Sequence, residues 1–305
     1  LLFKRTKDIS TGRAYDWYNV GKLRNSGFEF DLNVKLIQKK DWYWDMSVNG
    51  YTYANKMLNL PDEYKVSGMP NGNQRIYEGK DIYRWEMRQF AGLDEKGNSL
   101  WYMDQDILDD AGNVVGVEKV TTGDATEATQ YLLEKSALPD FTGGLNTTLR
   151  WKSLDLTIMT NFQFGGYGYD YDFSAFSSAN FPMNRLKNYA DAWNPETGKG
   201  SAPIWNTNDS NINASSDRFL ISKTYFNLRN ITLGYTFPAN WMSKIGIKSV
   251  RVYFACDNVF FASKRKGYDP RTSMGGQGAT VALNSVDGTY YSPIRTTSVG
   301  LNINF

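Results

Sequence analysis

Phe28-Glu29-Phe30-Asp31-Leu32-Asn33-Val34-Lys35-Leu36 alternates without a break, Phe28, Phe30, Leu32, Val34 and Leu36 on one side and Glu29, Asp31, Asn33 and Lys35 on the other. Period two is the mark of a β-strand whose faces meet different surroundings. After the polar turn Gln38-Lys39-Lys40-Asp41 the pattern resumes, with Trp42, Trp44, Met46 and Val48 set against Tyr43, Asp45, Ser47 and Asn49, which reads as a hairpin. The plan recurs downstream. Leu145, Thr147, Leu149 and Trp151 alternate with Asn146, Thr148 and Arg150, a turn falls near Ser153, and Leu156, Ile158, Phe162 and Phe164 follow. A third pair has Ile231, Leu233, Tyr235 and Phe237 before a helical turn predicted in 238–246, then Val250, Val252 and Phe254. Val299, Leu301, Ile303 and Phe305 alternate with Ser298, Gly300, Asn302 and Asn304 to end the chain on a strand.

Between these hairpins lie connections of another kind, 57–139, 169–221 and 263–291, far beyond ordinary loop lengths. Short turns and long connections alternate strictly. With 1–7 as a further strand there are about eight strands, and parity places every short turn and both chain ends on one rim, every long loop on the other. Alternation alone fits a soluble β-sandwich as well as a membrane barrel. Strands near ten residues, one rim of short turns and one of long loops, and aromatics beside the turns are barrel features. Trp42, Trp44 and Trp151 sit where an interfacial girdle would be. The ionic residues Glu29, Asp31, Lys35, Asp45 and Arg150 suit a roomy, wet lumen rather than the filled interior of a small barrel. The expected fold is therefore all-β, a transmembrane segment of a larger antiparallel barrel, with 1–305 as one barrel domain. An open edge is not tolerated in lipid, so such an arc requires further strands.

Composition narrows function. The 305 residues carry a net charge of +2 and show no basic stripe, which argues against nucleic acid as a partner. Histidine is absent, removing histidine triads and histidine metal sites. The single cysteine, Cys256, excludes an intrachain disulfide framework. Tyr, Phe and Trp make up 15% of the chain at a mean hydropathy of only −0.51, a balance that suits strands with one apolar and one wet side. No apolar run is long enough for a transmembrane helix, which leaves a barrel untouched. The first residues, Leu1-Leu2-Phe3-Lys4-Arg5, lack the regions of a signal peptide, so the chain is expected to begin inside a longer protein and to end at a natural terminus.

The chemistry-bearing motifs are weak. Gly165-Gly166-Tyr167-Gly168 and Gly275-Gly276-Gln277-Gly278 lack the Gly-Lys-Ser/Thr of a phosphate loop. Asp104, Asp106, Asp109, Asp110 and Asn113 form an oxygen-rich stretch without the spacing of a calcium loop, and read as a solvated acidic turn. Nothing singles out a pair of catalytic carboxylates, and no cofactor, metal or catalytic residue is expected. The long loops hold Trp85, Phe90, Trp101, Tyr102, Tyr167, Tyr169, Tyr171, Trp193 and Trp205 among polar residues, a mixture that fits an amphipathic ligand such as a sugar chain or peptide and equally fits loops packing on their own rings. The substrate-binding candidates are Trp85, Trp101, Tyr102, Tyr167, Tyr169, Trp193 and Trp205.

Several strings resemble those of a known family. Asn25-Ser26-Gly27-Phe28-Glu29 is similar to the strand opening of TonB-dependent outer-membrane transporters of the SusC/RagA type from Bacteroidetes. Ser216-Asp217-Arg218-Phe219-Leu220 and the run Tyr225-Phe226-Asn227-Leu228-Arg229-Asn230-Ile231-Thr232-Leu233-Gly234-Tyr235-Thr236-Phe237-Pro238 resemble its late-barrel signature. Gly267-Tyr268-Asp269-Pro270 resembles a loop of that family, and Arg295-Thr296-Thr297-Ser298-Val299-Gly300-Leu301-Asn302-Ile303-Asn304-Phe305 its closing strand. The resemblance spans nearly the whole chain. It implies the C-terminal part of a barrel of about 22 strands, without the plug and the TonB-contacting segment. It implies an outer-membrane importer of oligosaccharides or peptides in a Gram-negative bacterium, driven through TonB and capped by a SusD-like surface lipoprotein. Under it Phe28, Phe30, Leu32, Val34, Leu36, Trp42 and Trp44 face lipid, and Val299, Leu301, Ile303 and Phe305 form the signal read by the barrel-assembly machinery. Two rival readings stand beside it: a siderophore or cobalamin receptor barrel, and a soluble β-rich carbohydrate-binding or adhesion module.

Overall fold

The computed structural model describes residues 2–19, 21–177, 187, 191–206, 209, 211–264 and 293–305. Its strands, in chain order, are β1 (Leu2–Thr6), β2 (Tyr15–Asn19), β3 (Lys22–Gln38), β4 (Trp42–Asn59), β5 (Met69–Asn71), β6 (Gln74–Ile76), β7 (Arg84–Arg88), β8 (Phe90–Leu93) and β9 (Ser99–Leu108). There follow β10 (Val114–Thr122), β11 (Gln130–Ser136), β12 (Phe141–Trp151), β13 (Leu154–Phe164), β14 (Tyr167–Tyr169), β15 (Leu220–Ser222), β16 (Tyr225–Thr236), β17 (Ser249–Ser263) and β18 (Thr296–Asn304). Seven of them form one antiparallel meander, β3-β4-β12-β13-β16-β17-β18, in which spatial order follows chain order.

The turns explain the meander. Asp41 O accepts from Lys152 N, tying the β3–β4 turn to the β12–β13 turn beside it. A short helix, Ala239–Met242, and a 3₁₀ turn, Ser243–Ile245, fill the link between β16 and β17. All three short links lie on one rim. On the other rim the chain leaves β4 for β5 to β11, leaves β13 for β14 and β15, and passes from β17 towards 265–292; the Gly267–Pro270 and Gly275–Gly278 strings and the bulk of the 263–291 connection lie outside the described residues. The expected eighth strand, β1, pairs instead with β2 in a two-stranded sheet of its own, because Tyr15–Asn19 supplies a nearer antiparallel partner. The seven-stranded sheet thus begins at β3 on the long-loop rim.

Register sorts the side chains into two faces. Trp42 stands in one row with Trp151, Leu154, Tyr235, Val252 and Leu301, and Trp44 in the next with Leu149, Leu156, Leu233, Phe254 and Val299. A third row is Met46, Thr147, Ile158, Ile231, Cys256 and Thr297. Behind them run Asp45, Thr148, Thr157 and Thr232, then Ser47, Asn146, Met159, Asn230 and Asp257. Leu228 and Ile231 have opposite parity, yet both belong to the apolar face. One extra residue on β16, Arg229, restores the phase relative to β13, and β17 carries its own irregularity opposite it at Asn258.

Near the long-loop rim the apolar face carries a second aromatic band. The Phe141 ring stacks on Phe30 at 6.4 Å and on Phe162 at 6.0 Å, with Phe164 beside it. At the opposite rim Trp42 and Trp151 meet at 5.7 Å. None of this face is covered by a second layer among the described residues: Phe28, Leu32, Trp151, Leu233, Phe254 and Phe260 are exposed, Phe28 to 67%. Apolar rows of this extent on one face are not a water-facing surface. A sandwich would have buried them.

The buried apolar clusters lie instead in the connections: Trp85, Met87, Leu133, Ala137, Tyr169, Phe219 and Leu220 in one, Trp101, Ala125 and Ala128 in another, and Met57, Leu60 and Ile76 where β4 enters its long loop. The first two long loops are held by these clusters, one of which they share. The first holds a four-stranded sheet, β11-β7-β6-β5, and a three-stranded one, β10-β9-β8.

Candidate functional site

On the polar face, side chains form a hydrogen-bonded lattice. Tyr43 O–H donates to Asp45 Oδ2 at 3.1 Å, Asp45 Oδ1 accepts from Thr148 N at 3.1 Å, and the Arg150 guanidinium lies 5.6 Å from the Tyr43 ring. Asn227 Nδ2 donates to Asn161 Oδ1 at 2.9 Å and Asn230 Nδ2 to Asp257 Oδ1 at 2.8 Å. Close to the short-turn rim, Asp155 on β13 and Arg251 on β17 reach over β16 and join at 3.0 and 2.5 Å through two hydrogen bonds. They cross above Gly234, where a β-carbon would collide with both side chains. A fork-to-fork pair of this kind is a strong polar contact, and the residue beneath it has to be small.

Nearer the long-loop rim, Gly27, Phe28, Glu29, Tyr51, Thr52 and Tyr53 line an open cleft of about 400 Å³ along β3 and β4. Glu29 and Tyr51 are register partners, as are Gly27 and Tyr53, so two rings and one carboxylate point to the same side. Sequence reasoning stopped the β4 alternation at Asn49 and missed both tyrosines; two more steps of the same period reach them.

Of the residues expected to face lipid, six share the apolar face: Phe28, Leu32, Trp42 and Trp44 are exposed on it, and Phe30 and Val34 are half-buried among neighbours. Leu36 sits at an irregularity where Lys35 and Ile37 take the register. The Trp44 indole N–H donates to Thr147 Oγ1 at 2.8 Å, and Thr147 Oγ1 donates to Asp45 O at 2.8 Å, so both polar groups are satisfied within the sheet. That is what a nonaqueous solvent demands. Val299, Leu301, Ile303 and Phe305 line the outer edge of β18 and its end, all exposed, Phe305 to 78%.

The seven loop aromatics divide by environment. Trp85, Trp101 and Tyr169 are buried in the loop cores. The Trp85 indole N–H donates to Tyr167 O at 3.1 Å, and Tyr169 O–H to Ser174 Oγ at 3.1 Å. Tyr102 and Tyr167 are half-buried, and each ring is met by a lysine, Lys119 at 4.3 Å and Lys135 at 5.5 Å. Lys119 also lies 4.4 Å from the Tyr131 ring and donates to Gln89 Oε1 at 2.6 Å. Trp193 is half-buried against the β8–β9 turn, where any side chain at Gly97 would strike its ring. Trp205 alone of the seven presents an exposed side chain, at 46%. Most of the set therefore builds the loops rather than opening onto solvent.

These contacts also join the first two long loops. Ile204 N donates to Gly97 O at 2.8 Å, Phe90 N to Asp217 Oδ1 at 2.9 Å, and Ser215 Oγ to Asn73 Oδ1 at 3.0 Å. The oxygen-rich stretch resolves into a turn: Asp109 Oδ1 accepts from Ala111 N at 2.9 Å and Asn113 N at 2.8 Å, with Gly112 at φ 82° closing the hairpin. Those backbone N–H groups hold the Asp109 carboxyl below its ordinary range. Among the described residues no group of three or more Cys, Asp or Glu side chains could hold a metal ion, and no helix is long and apolar enough to cross a membrane, which says nothing of strands. Two tyrosines and a carboxylate thus share one side of the sheet, and the Trp205 side chain is exposed in the second long connection.

No family model matches the sequence. Over its full length the chain is 26% identical to TonB-dependent receptor P3 of Formosa agariphila and covers 31% of that protein. It is 26% identical to TonB-dependent receptor SusC of Bacteroides thetaiotaomicron, with 94% of this chain matched to 27% of that one. Among solved structures, a chain of the RagAB peptide transporter superposes with a TM-score of 0.76 at 25% identity, over 100% of this chain and 32% of that chain. The chain thus spans about a third of the length of the relatives it matches.

Proposed function

We propose that this chain, a stretch of outer-membrane β-barrel of the SusC/RagA type, supplies part of the wall and outer loops of a TonB-dependent importer of oligosaccharides or peptides that works with a SusD-like surface lipoprotein. The observation that carries the reading is the two-sided sheet. Its exposed rows of Trp, Leu, Ile and Phe ask for lipid, and its lattice of Asp, Asn, Thr and Arg asks for water, the division a transporting barrel needs. The likeness to TonB-dependent receptors supports it over the whole chain. The barrel lumen would be the side of Glu29, Tyr51 and Tyr53, and Trp205 would stand on the outer loops; aromatic faces next to hydroxyl and carboxylate groups suit both sugar rings and peptide side chains. The remaining strands, the plug and the TonB contact would come from the rest of such a receptor, whose role is transport without chemistry on the cargo.

The test is membrane partitioning of the full-length protein and of residues 1–305. Detergent should extract the full-length form from outer membranes where high salt does not. A segment 1–305 that is soluble, monomeric and cooperatively folded without detergent would overturn the lipid-facing assignment.

A further inference from the structure

The rim of short turns carries a charge of its own. Its three links, residues 38–41, 152–153 and 237–248, hold Lys39, Lys40, Lys152, Lys244 and Lys248 against one carboxylate, Asp41. The three long connections, 60–140, 165–224 and 264–295, together hold 24 Asp and Glu against 18 Lys and Arg. The two rims are therefore of opposite sign.

The turn lysines stand close to the apolar face. Lys39 N donates to Trp42 O at 2.8 Å, which closes the β3–β4 hairpin and sets Lys39 opposite Trp42, on the same face. Lys152 Nζ lies 5.7 Å from the ring of Trp151, which itself meets Trp42. Lys244 follows Trp241 by one turn of the link between β16 and β17, and the Trp241 side chain is 59% exposed. Lys248 N donates to Asn304 O at 2.9 Å, which holds that residue at the foot of β17 beside the end of β18. All five lysines are exposed, and the lysine ion pairs among the described residues involve Lys7, Lys65 and Lys135 instead. Asp155, close to the same rim, is taken by Arg251 on the polar face.

Ammonium groups set just beyond a belt of indoles suit the level where hydrocarbon gives way to headgroups, the stem lying along apolar surface and the charge reaching the phosphates. We infer that the short turns form a lysine collar that binds anionic phospholipid headgroups in the leaflet on their side, selecting these over zwitterionic lipids around this part of the wall. The inference rests on the barrel reading and adds to it the chemistry and the side of the lipid contact. The acid-rich connections of the other rim would repel the same headgroups, so the collar also distinguishes the two ends of the wall.

The experiment reconstitutes the full-length protein in phosphatidylcholine bilayers containing spin-labelled phosphatidylglycerol or, in a parallel sample, spin-labelled phosphatidylcholine, and reads the immobilised fraction of each label. The unaltered protein should hold the phosphatidylglycerol label in preference, and the preference should fade as salt is raised. K39Q with K152Q, and K244Q with K248Q, should each lower it by about twofold or more, because each basic side chain at a membrane surface adds its own attraction. K96Q with K199Q, which removes two exposed lysines of the long connections, should leave it unchanged. No preference in the unaltered protein, an undiminished one in both rim variants, or an equal fall in K96Q with K199Q would overturn the collar and leave the importer reading standing. Rim variants that keep the lipid preference but no longer sediment with isolated peptidoglycan would assign the lysines to the cell wall and overturn it equally. A full-length protein that does not enter the bilayer removes the barrel reading, and the inference with it.

Discussion

Gly234 shows how much of this wall turns on one missing methyl group. Its backbone lies beneath the Asp155–Arg251 pair, which ties β13 to β17 across β16. In G234A the pair has to open, whereas in an Asp155→Asn background there is little left to open. A double-mutant cycle on the full-length protein, read by urea unfolding in detergent, should therefore show coupling of about 0.5 kcal/mol or more between the two changes. Additive effects would mean that the glycine serves the backbone instead. A second residue carries a pH signature. Tyr131 is pushed up to about 12 by burial and by the hydrogen bond from its O–H to Asp104 Oδ1 at 2.5 Å. A raised pKa means that the folded state keeps this proton longer than the unfolded chain does, so its stabilisation is complete below the ordinary tyrosine value of about 10 and is lost as pH rises from there towards the folded value. Thermal unfolding should show wild type losing more stability than Y131F across that window. Equal losses would place the proton elsewhere.

At the scale of the strand, the two faces predict opposite tolerance. Ile231 lies in the third apolar row from the short-turn rim, and Thr232 points the other way among Asp and Asn. Ile231→Arg should cost about 2–4 kcal/mol in a folded bilayer and Thr232→Arg close to nothing. Comparable costs from the two substitutions in a reversible folding assay would undo the assignment of faces. The strands were legible because alternation is local: Phe28 to Leu36 and Trp42 to Val48 announce their faces before any partner is known. Leu36 and Arg229 mark what was less visible, since an irregularity shows only as a change of parity that a short reading passes over. The loops were hardest to read. Trp85, Trp101 and Tyr169 carry the same composition as a binding surface, and only their burial distinguishes a ring that packs from a ring that waits for a ligand. Strand β1 was read as part of the barrel sheet because nothing local tells a strand which neighbour it will take.

At the scale of the molecule, the sheet and its first two long loops are held by different forces: the sheet by register and by the solvent on each face, the loops by apolar clusters. Assembly should feel this separation. Phe305 is exposed just beyond β18, so among the described residues it has little packing to lose. F305S in the full-length protein should reduce the amount of barrel reaching the outer membrane while leaving the unfolding of the barrel that does arrive almost unchanged; normal outer-membrane levels would remove the residue from assembly. The two aromatic bands stand a fixed distance apart. From the Trp42 row to the row of Phe162 and Phe226, β4 advances by eight residues, Trp42 to Gly50. That is about 27 Å along the strand at a rise of about 3.4 Å, or about 21 Å once a tilt of about 40° is allowed for. The register is therefore a ruler. A hydrogen-bonded wall cannot stretch to suit a thicker bilayer, so the lipids around it have to thin instead, and mismatch, without any receptor, biases such a protein towards the thinnest membrane the cell makes.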